Sequence, residues 1–149
     1  MHDATEGGIL GGLYELSSAC GLPVIVNKKR IHVPEECRAV CKIFGLDPLT
    51  TESEGTLIIS CRRDAVDDVD AALAKERVEV FEVGRVGSSA EGKGLLASSP
   101  NSSGLTRLVP SPDGYWKAYA DALGRGTKRQ KSFQMNWMVK PSVGLRKTG

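Results

Sequence analysis

The chain has 149 residues, 40% of them apolar and 26% charged, with a formal net charge of +2, which is enough for one domain with a core of its own. No apolar run reaches the roughly 18 residues of a membrane helix, and no basic segment followed by an apolar one opens the chain. Neither a membrane span nor a signal peptide is predicted, and the expected compartment is the cytoplasm.

In chain order, residues 2–14 (His-Asp-Ala-Thr-Glu-Gly-Gly-Ile-Leu-Gly-Gly-Leu-Tyr) carry the densest chemical information. They read as a helix start able to contact phosphate. Asp3 or Thr5 can cap the helix, Gly7 and Gly8 let an anion approach backbone N–H groups, and Ile9, Leu13, Leu16 and Cys20 recur at helical spacing. A second reading stands beside it: a glycine pair at a helix start also serves tight packing against a strand. Gly11 and Gly12 inside a helix cost about 1 kcal/mol each relative to alanine, so close approach of backbone or ligand is their physical explanation.

Gly21 is a helix stop, and residues 22–27 have the β-branched apolar run of a buried strand that ends at Lys28, Lys29 and Arg30. Pro34, Glu35 and Glu36, the stripe Val33, Cys37, Val40 and Phe44, and Gly45 together predict a second helix with a buried face. Of the four cysteines, Cys20, Cys37, Cys41 and Cys61 are expected as reduced thiols. Cys37 and Cys41 read as small buried hydrophobes rather than metal ligands, because paired knuckles and neighbouring histidines are missing. Asp47-Pro48 opens a loop, and residues 56–61 predict a second buried strand.

Asp64 is the expected cap of a third helix reaching Lys75, with Val66, Val69 and Leu73 inward and Asp67, Asp68 and Asp70 turned to solvent. Residues 78–83 alternate as Val-Glu-Val-Phe-Glu-Val and predict a strand that continues through Gly84-Arg85-Val86. Residues 87–104, rich in Gly and Ser, predict a flexible loop. Residues 105–109 predict a short returning strand, and Asp113 leads a helix ending near Leu123. The first domain therefore spans residues 1–123, in an α/β (α+β) arrangement with a single mixed sheet and packed helices. Residues 124–149 read as a basic, disordered tail: seven of the 20 Lys and Arg residues lie there and none of the 18 Asp and Glu, which leaves the domain acidic.

No Gly-x-Ser-x-Gly elbow, phosphate-binding Gly-rich Lys motif or magnesium-type carboxylate pair is present, so catalytic residues stay unassigned and no metal ligand is named. His2 sits at a terminus, and His32 at a strand end reads as a surface residue.

His2-Asp3-Ala4-Thr5-Glu6-Gly7-Gly8-Ile9-Leu10-Gly11 resembles the segment that opens the C-terminal domain of the AIR synthase-related superfamily. Glu54-Gly55-Thr56-Leu57-Ile58 and Gly84-Arg85-Val86 are further matches, and the helix before Leu123 is similar to the family's C-terminal helix, where an aromatic residue packs on the domain. The resemblance covers residues 2–86, and residues 105–123 loosely, and is closest in look to the hydrogenase-maturation (carbamoyl-dehydratase) branch. It implies an AIR synthase C-terminal-domain-like fold that closes a cleft over phosphate or substrate, with His2 and Asp3 at the cleft and Thr5, Glu6, Gly7 and Gly8 at the anion-facing turn. It further implies an N-terminal half, in the same or a separate chain, that binds ATP and magnesium, and a small-molecule substrate of which an oxygen atom is phosphorylated or activated. Because the chain opens one residue before the motif, that half is expected to be absent and the chain to be inactive alone. The other class of function is a non-enzymatic module that binds a protein or RNA, the latter only through the basic tail.

Overall fold

The computed structural model describes residues 1–99, 102–111 and 113–123. The tail expected over residues 124–149 lies outside them. The elements are β1 (His2–Ala4), α1 (Gly8–Cys20), β2 (Val24–Val26), α2 (Glu35–Phe44), β3 (Thr56–Ile58), α3 (Val66–Lys75), β4 (Gly84–Val86), β5 (Leu95–Ser99), β6 (Ser102–Arg107) and α4 (Tyr115–Ala122). The fold is α/β, with its strands divided between an antiparallel β1–β3 ladder and a four-stranded mixed sheet in the order β4-β2-β5-β6. Strand β2 runs antiparallel to β4 and parallel to β5, and β6 closes antiparallel on β5.

Helix α1 lies between the two sheets and organises the core. Leu10 and Leu13 are buried on its inner face, and they cluster with Ala4, Val24, Val26, Ile58 and Leu95. Ser17, on the same face, is tolerated there because its hydroxyl donates to the Leu22 carbonyl at 2.6 Å. The buried series thus runs through Leu10, Leu13 and Ser17, with Ile9 and Leu16 half-buried beside it and Cys20 exposed. The helix is capped neither by Asp3 nor by Thr5: Gly7 is the cap residue, in a left-handed conformation at φ 80° and without a side-chain cap bond. Residues 2–4 are taken by the β1–β3 ladder, in the register His2 to Ile58 and Ala4 to Thr56.

The largest correction concerns residues 87–104. Rather than a loop, they hold a short 3-10 turn at Ser89–Glu91, the whole of β5 and the start of β6. Leu95 is completely buried, and Leu96 is 6% exposed on the opposite face of the sheet. Two leucines supply the burial, and β2 supplies the backbone partner that the Gly/Ser-rich surroundings do not advertise. Conversely, residues 78–83 form no strand although their alternation is the cleanest in the chain. Pairing with β2 begins only at Gly84, where a Cβ would stand 2.1 Å from the Ile25 carbonyl oxygen, so the register is set by the residue without a side chain.

Both middle helices are more exposed than their periodicity suggests. No residue of α2 is buried, and Val40, Ile43 and Phe44 are 53%, 78% and 49% exposed. Cys37 is exposed and Cys41 half-buried, so neither is the buried hydrophobe expected. Asp64 does not cap α3; it lies in a 3-10 turn and pairs with Arg62 at 3.1 Å. The two predicted strands at residues 22–27 and 56–61 are shorter than expected, and Leu57 is 55% exposed. No helix among the described residues is long and apolar enough to cross a membrane.

Candidate functional site

The start of α1 is built from three stretches of chain. The first is the turn at residues 5–8, where the Gly8 N–H donates to the Thr5 carbonyl at 3.1 Å. The second is the loop after Asp47, whose side chain accepts the Leu49 N–H at 2.9 Å and whose carbonyl accepts the Thr50 and Thr51 N–H groups. This loop lies across the helix end: the Leu10 N–H donates to the Leu49 carbonyl at 3.0 Å, and the Ser53 N–H donates to the Thr5 carbonyl at 3.2 Å. Gly8 is buried at the contact, and a Cβ there would stand 2.5 Å from the Thr51 oxygen and 2.8 Å from that of Leu49. Its lack of a side chain is required by the protein's own backbone.

The third stretch is the entry to α4. Asp113 places Oδ2 3.3 Å from the Gly7 N–H and Oδ1 2.8 Å from the Tyr115 N–H. One carboxylate thereby serves two helix starts and puts negative charge at the positive end of α1. Within the described chain the side-chain oxygen that meets the Gly7 N–H belongs to Asp113. The sequence gives half of this away, since Asp113 two residues before a helix is a cap signal, but its reach back to Gly7 has no local signature.

The predicted residues do not all converge. Thr5 and Glu6 are exposed at the turn, beside Gly7 and Gly8. His2 is held elsewhere: its Nε2 lies 2.7 Å from Glu15 Oε2, about 10 Å along α1 from the helix start at 1.5 Å per residue. Asp3, next along β1, is exposed, whereas Ala4 is buried against the helix. The turn thus gathers Thr5, Glu6, Gly7 and Gly8, while His2 and Asp3 stand on the ladder behind it. The run Lys28–Arg30 forms a 3-10 turn after β2, where Arg30 pairs with Glu82 at 3.3 Å. Among the described residues no three His, Cys, Asp or Glu side chains are grouped to hold a metal ion.

Two ionisable groups outside the turn are displaced from their ordinary range. The side-chain hydrogen bond from Arg85, seconded by the Ser88 N–H, lowers the Glu91 carboxyl to about 2, and this cluster closes the 3-10 turn ahead of β5. Burial, followed by the nearby Cys37 and Asp47, pushes the Cys41 thiol up.

Comparison with known proteins places these elements in context. The family model described as AIR synthase related protein, C-terminal domain, matches residues 1–96. Carbamoyl dehydratase HypE of Escherichia coli is 37% identical over 73 residues, covering 49% of this chain and 22% of its own. Carbamoyl dehydratase HypE of Cupriavidus necator is 38% identical over 77 residues, covering 52% of this chain and 21% of its own. The chain thus spans about a fifth of the length of these relatives. The crystal structure of E. coli HypE, a hydrogenase maturation protein, superposes with a TM-score of 0.64 at 29% identity, covering 74% of this chain and 34% of that one.

Proposed function

The chain belongs to the AIR synthase-related C-terminal domain family, and from that membership we propose that it is the cleft-closing, phosphate-contacting domain of a HypE-like hydrogenase maturation protein. Its work is done together with an N-terminal half that binds ATP and magnesium, carried in the same or a separate chain, and on a small-molecule substrate. The observation that carries the reading is the Gly7 N–H, which points at an anionic oxygen at the start of α1.

In this proposal a phosphoryl oxygen takes the place of the Asp113 carboxylate. The Gly7 N–H donates to it, and the positive end of α1 stabilises its charge once a partner domain excludes water. Thr5 and Glu6 form the exposed lip of the turn, and Gly8 keeps the turn pressed on the loop after Asp47. His2, held by Glu15, and Asp3 flank the cleft from the ladder. ATP supplies the phosphoryl group that activates a substrate oxygen, and its magnesium falls to acidic residues of the N-terminal half. The chain alone is then inactive, and the cytoplasm is its compartment.

The test is reconstitution. The purified chain should release no phosphate from ATP, and mixing it with the N-terminal half of a HypE-type relative should restore turnover. Hydrolysis by the chain alone would overturn the reading. A second reading, a non-enzymatic module that binds a protein, is favoured by one observation: α2 exposes Val40, Ile43 and Phe44. Failure of the reconstituted pair to turn over ATP, together with binding of a protein other than the N-terminal half that Ile43→Glu abolishes, would select it.

A further inference from the structure

Residues 78–83 combine high strand propensity with no strand partner among the described residues. Val78, Val80 and Phe81 are 51%, 41% and 46% exposed, and the stretch runs directly into β4, the outer strand of the four-stranded sheet. Its ends are tied, by the Val78 N–H to the Leu73 carbonyl and by the Val83 carbonyl to the Asn27 N–H. Between those ties, among the described residues, no backbone hydrogen bond is made by residues 79–82. A groove of about 390 Å³ follows the segment, lined by Asp70 and Ala74 of α3 and by Arg77, Val78, Glu79, Val80 and Phe81, so that two carboxylates face one guanidinium there. Exposed strand-prone backbone beside apolar side chains is the arrangement that accepts an added strand.

The charge of this surface narrows the choice of occupant. Residues 64–82 hold seven acidic side chains and two basic ones, whereas residues 125–147 hold seven basic ones and none acidic. Within the latter, Phe133, Met135 and Trp137 alternate with Ser132, Gln134 and Asn136 before the apolar pair Met138-Val139, between Lys131 and Lys140. That is the period of a strand with one apolar face. The stretch follows α4 closely: the chain between Leu123 and Lys131 spans up to about 27 Å when extended.

We propose that residues 131–140 of this chain dock in extended form along residues 79–82, laying Met135 and Trp137 over Val78 and Val80 and their flanking lysines against the acidic surface of α3. Backbone pairing supplies affinity, alternate side chains supply register, and charge supplies orientation. The tail is then a part of the folded domain that prolongs the β4 edge.

Trp137 reports on this contact in the full chain once Trp116, the other tryptophan, is replaced by Phe. The expected result is blue-shifted emission with acrylamide quenching severalfold weaker than in the urea-unfolded chain. Quenching should rise to the unfolded level in Val80→Pro, which removes a backbone donor, and in Asp70→Lys with Glu79→Lys, a surface pair whose folding is checked by circular dichroism. Half-molar salt, where screening extends over only about 4 Å, should weaken the protection. Emission at the unfolded position in the Trp116→Phe chain, or protection unchanged in both variants, overturns the proposal. Protection that fades on dilution along with a dimer seen by sedimentation also overturns it, in favour of docking on a second copy.

Discussion

Asp113 and Gly7, separated by 106 positions, are joined by a hydrogen bond of 3.3 Å between the carboxylate Oδ2 and the backbone N–H. The other carboxylate oxygen takes the Tyr115 N–H at 2.8 Å, so a single side chain fixes the last helix to the start of the first. Asp113→Ala loses both bonds and should destabilise the chain by about 1–2 kcal/mol, the usual worth of a cap, measured by urea unfolding. The Gly7 amide resonance should move with it. An unchanged Gly7 resonance would mean that the contact is not formed in solution.

Asp113 also decides how the phosphate reading is probed. Asp113→Asn removes the charge that a phosphate would displace, so inorganic phosphate should perturb the Gly7 and Ile9 amides at lower concentration than in the parent chain. Equal or weaker binding in the variant would separate Asp113 from the anion site.

Replacing Gly8 is predicted to act on folding before it acts on binding. Its φ is +63°, and a Cβ would press on the backbone oxygens of Thr51 and Leu49. Gly8→Ala should cost about 2 kcal/mol or more, read as a lowered urea midpoint. Stability equal to that of the parent would show that the loop after Asp47 yields. A loss of turnover in a Gly7, Gly8 double variant is therefore interpretable only beside its unfolding curve.

Leu95→Ala should be the most damaging of the single truncations considered, at about 2–5 kcal/mol, because the side chain is completely buried where α1 meets the centre of the sheet. A loss under about 1 kcal/mol would return residues 87–104 to the flexible loop that their composition suggests.

The Arg85–Glu91 pair gives a pH dependence of defined sign. The folded-state carboxyl lies at about 2, below its ordinary 4.5, so the charged form is the one that folding favours. Its contribution is present above pH 4.5 and is lost as the pH falls toward 2. The carboxyl carbon resonance of Glu91 should titrate in that low range and move up toward the ordinary one in Arg85→Gln, the Ser88 N–H still holding part of the shift.

Thiol chemistry offers a separate check on α2. Cys20, Cys37 and Cys61 are exposed, whereas Cys41 is half-buried with a raised pKa. Ellman's reagent near pH 8 should modify Cys41 last. Cys41 reacting with the fast group would place its side chain in solvent.

What was legible in the sequence depended on whether the signal was local. Helix α2 follows from Pro34, Glu35 and Gly45, and α4 from Asp113, because start and stop residues act within a turn of the element. Burial was not local. The stripe through Val40 and Phe44 marks an amphipathic helix, but whether anything covers it is set by distant chain, and nothing among the described residues buries it. The strands failed in both directions for the same reason. Residues 78–83 have the pattern without a partner among the described residues, and Leu95–Ser99 have a partner with hardly any pattern, since parallel pairing with β2 is invisible to a short window. At the candidate site the Gly7-Gly8 turn was readable as a close approach. Its neighbours, Thr51 from the middle of the chain and Asp113 from near its end, were not.

The placement of β2 sets an order of events during synthesis. Val24 finds its partners only in Val86 and Leu95, so the strand at the heart of the sheet leaves the ribosome long before either neighbour exists. Until then the apolar side chains of Val24 and Val26 have no sheet to enter, and only the helices and the short β1–β3 ladder beside Leu10 and Leu13 can form. Completion of the domain waits for the Gly/Ser-rich stretch to emerge. A nascent chain halted before Leu95 can pair β2 with β4 but leaves the other edge of the central strand bare, which is the surface that chaperones and aggregation compete for.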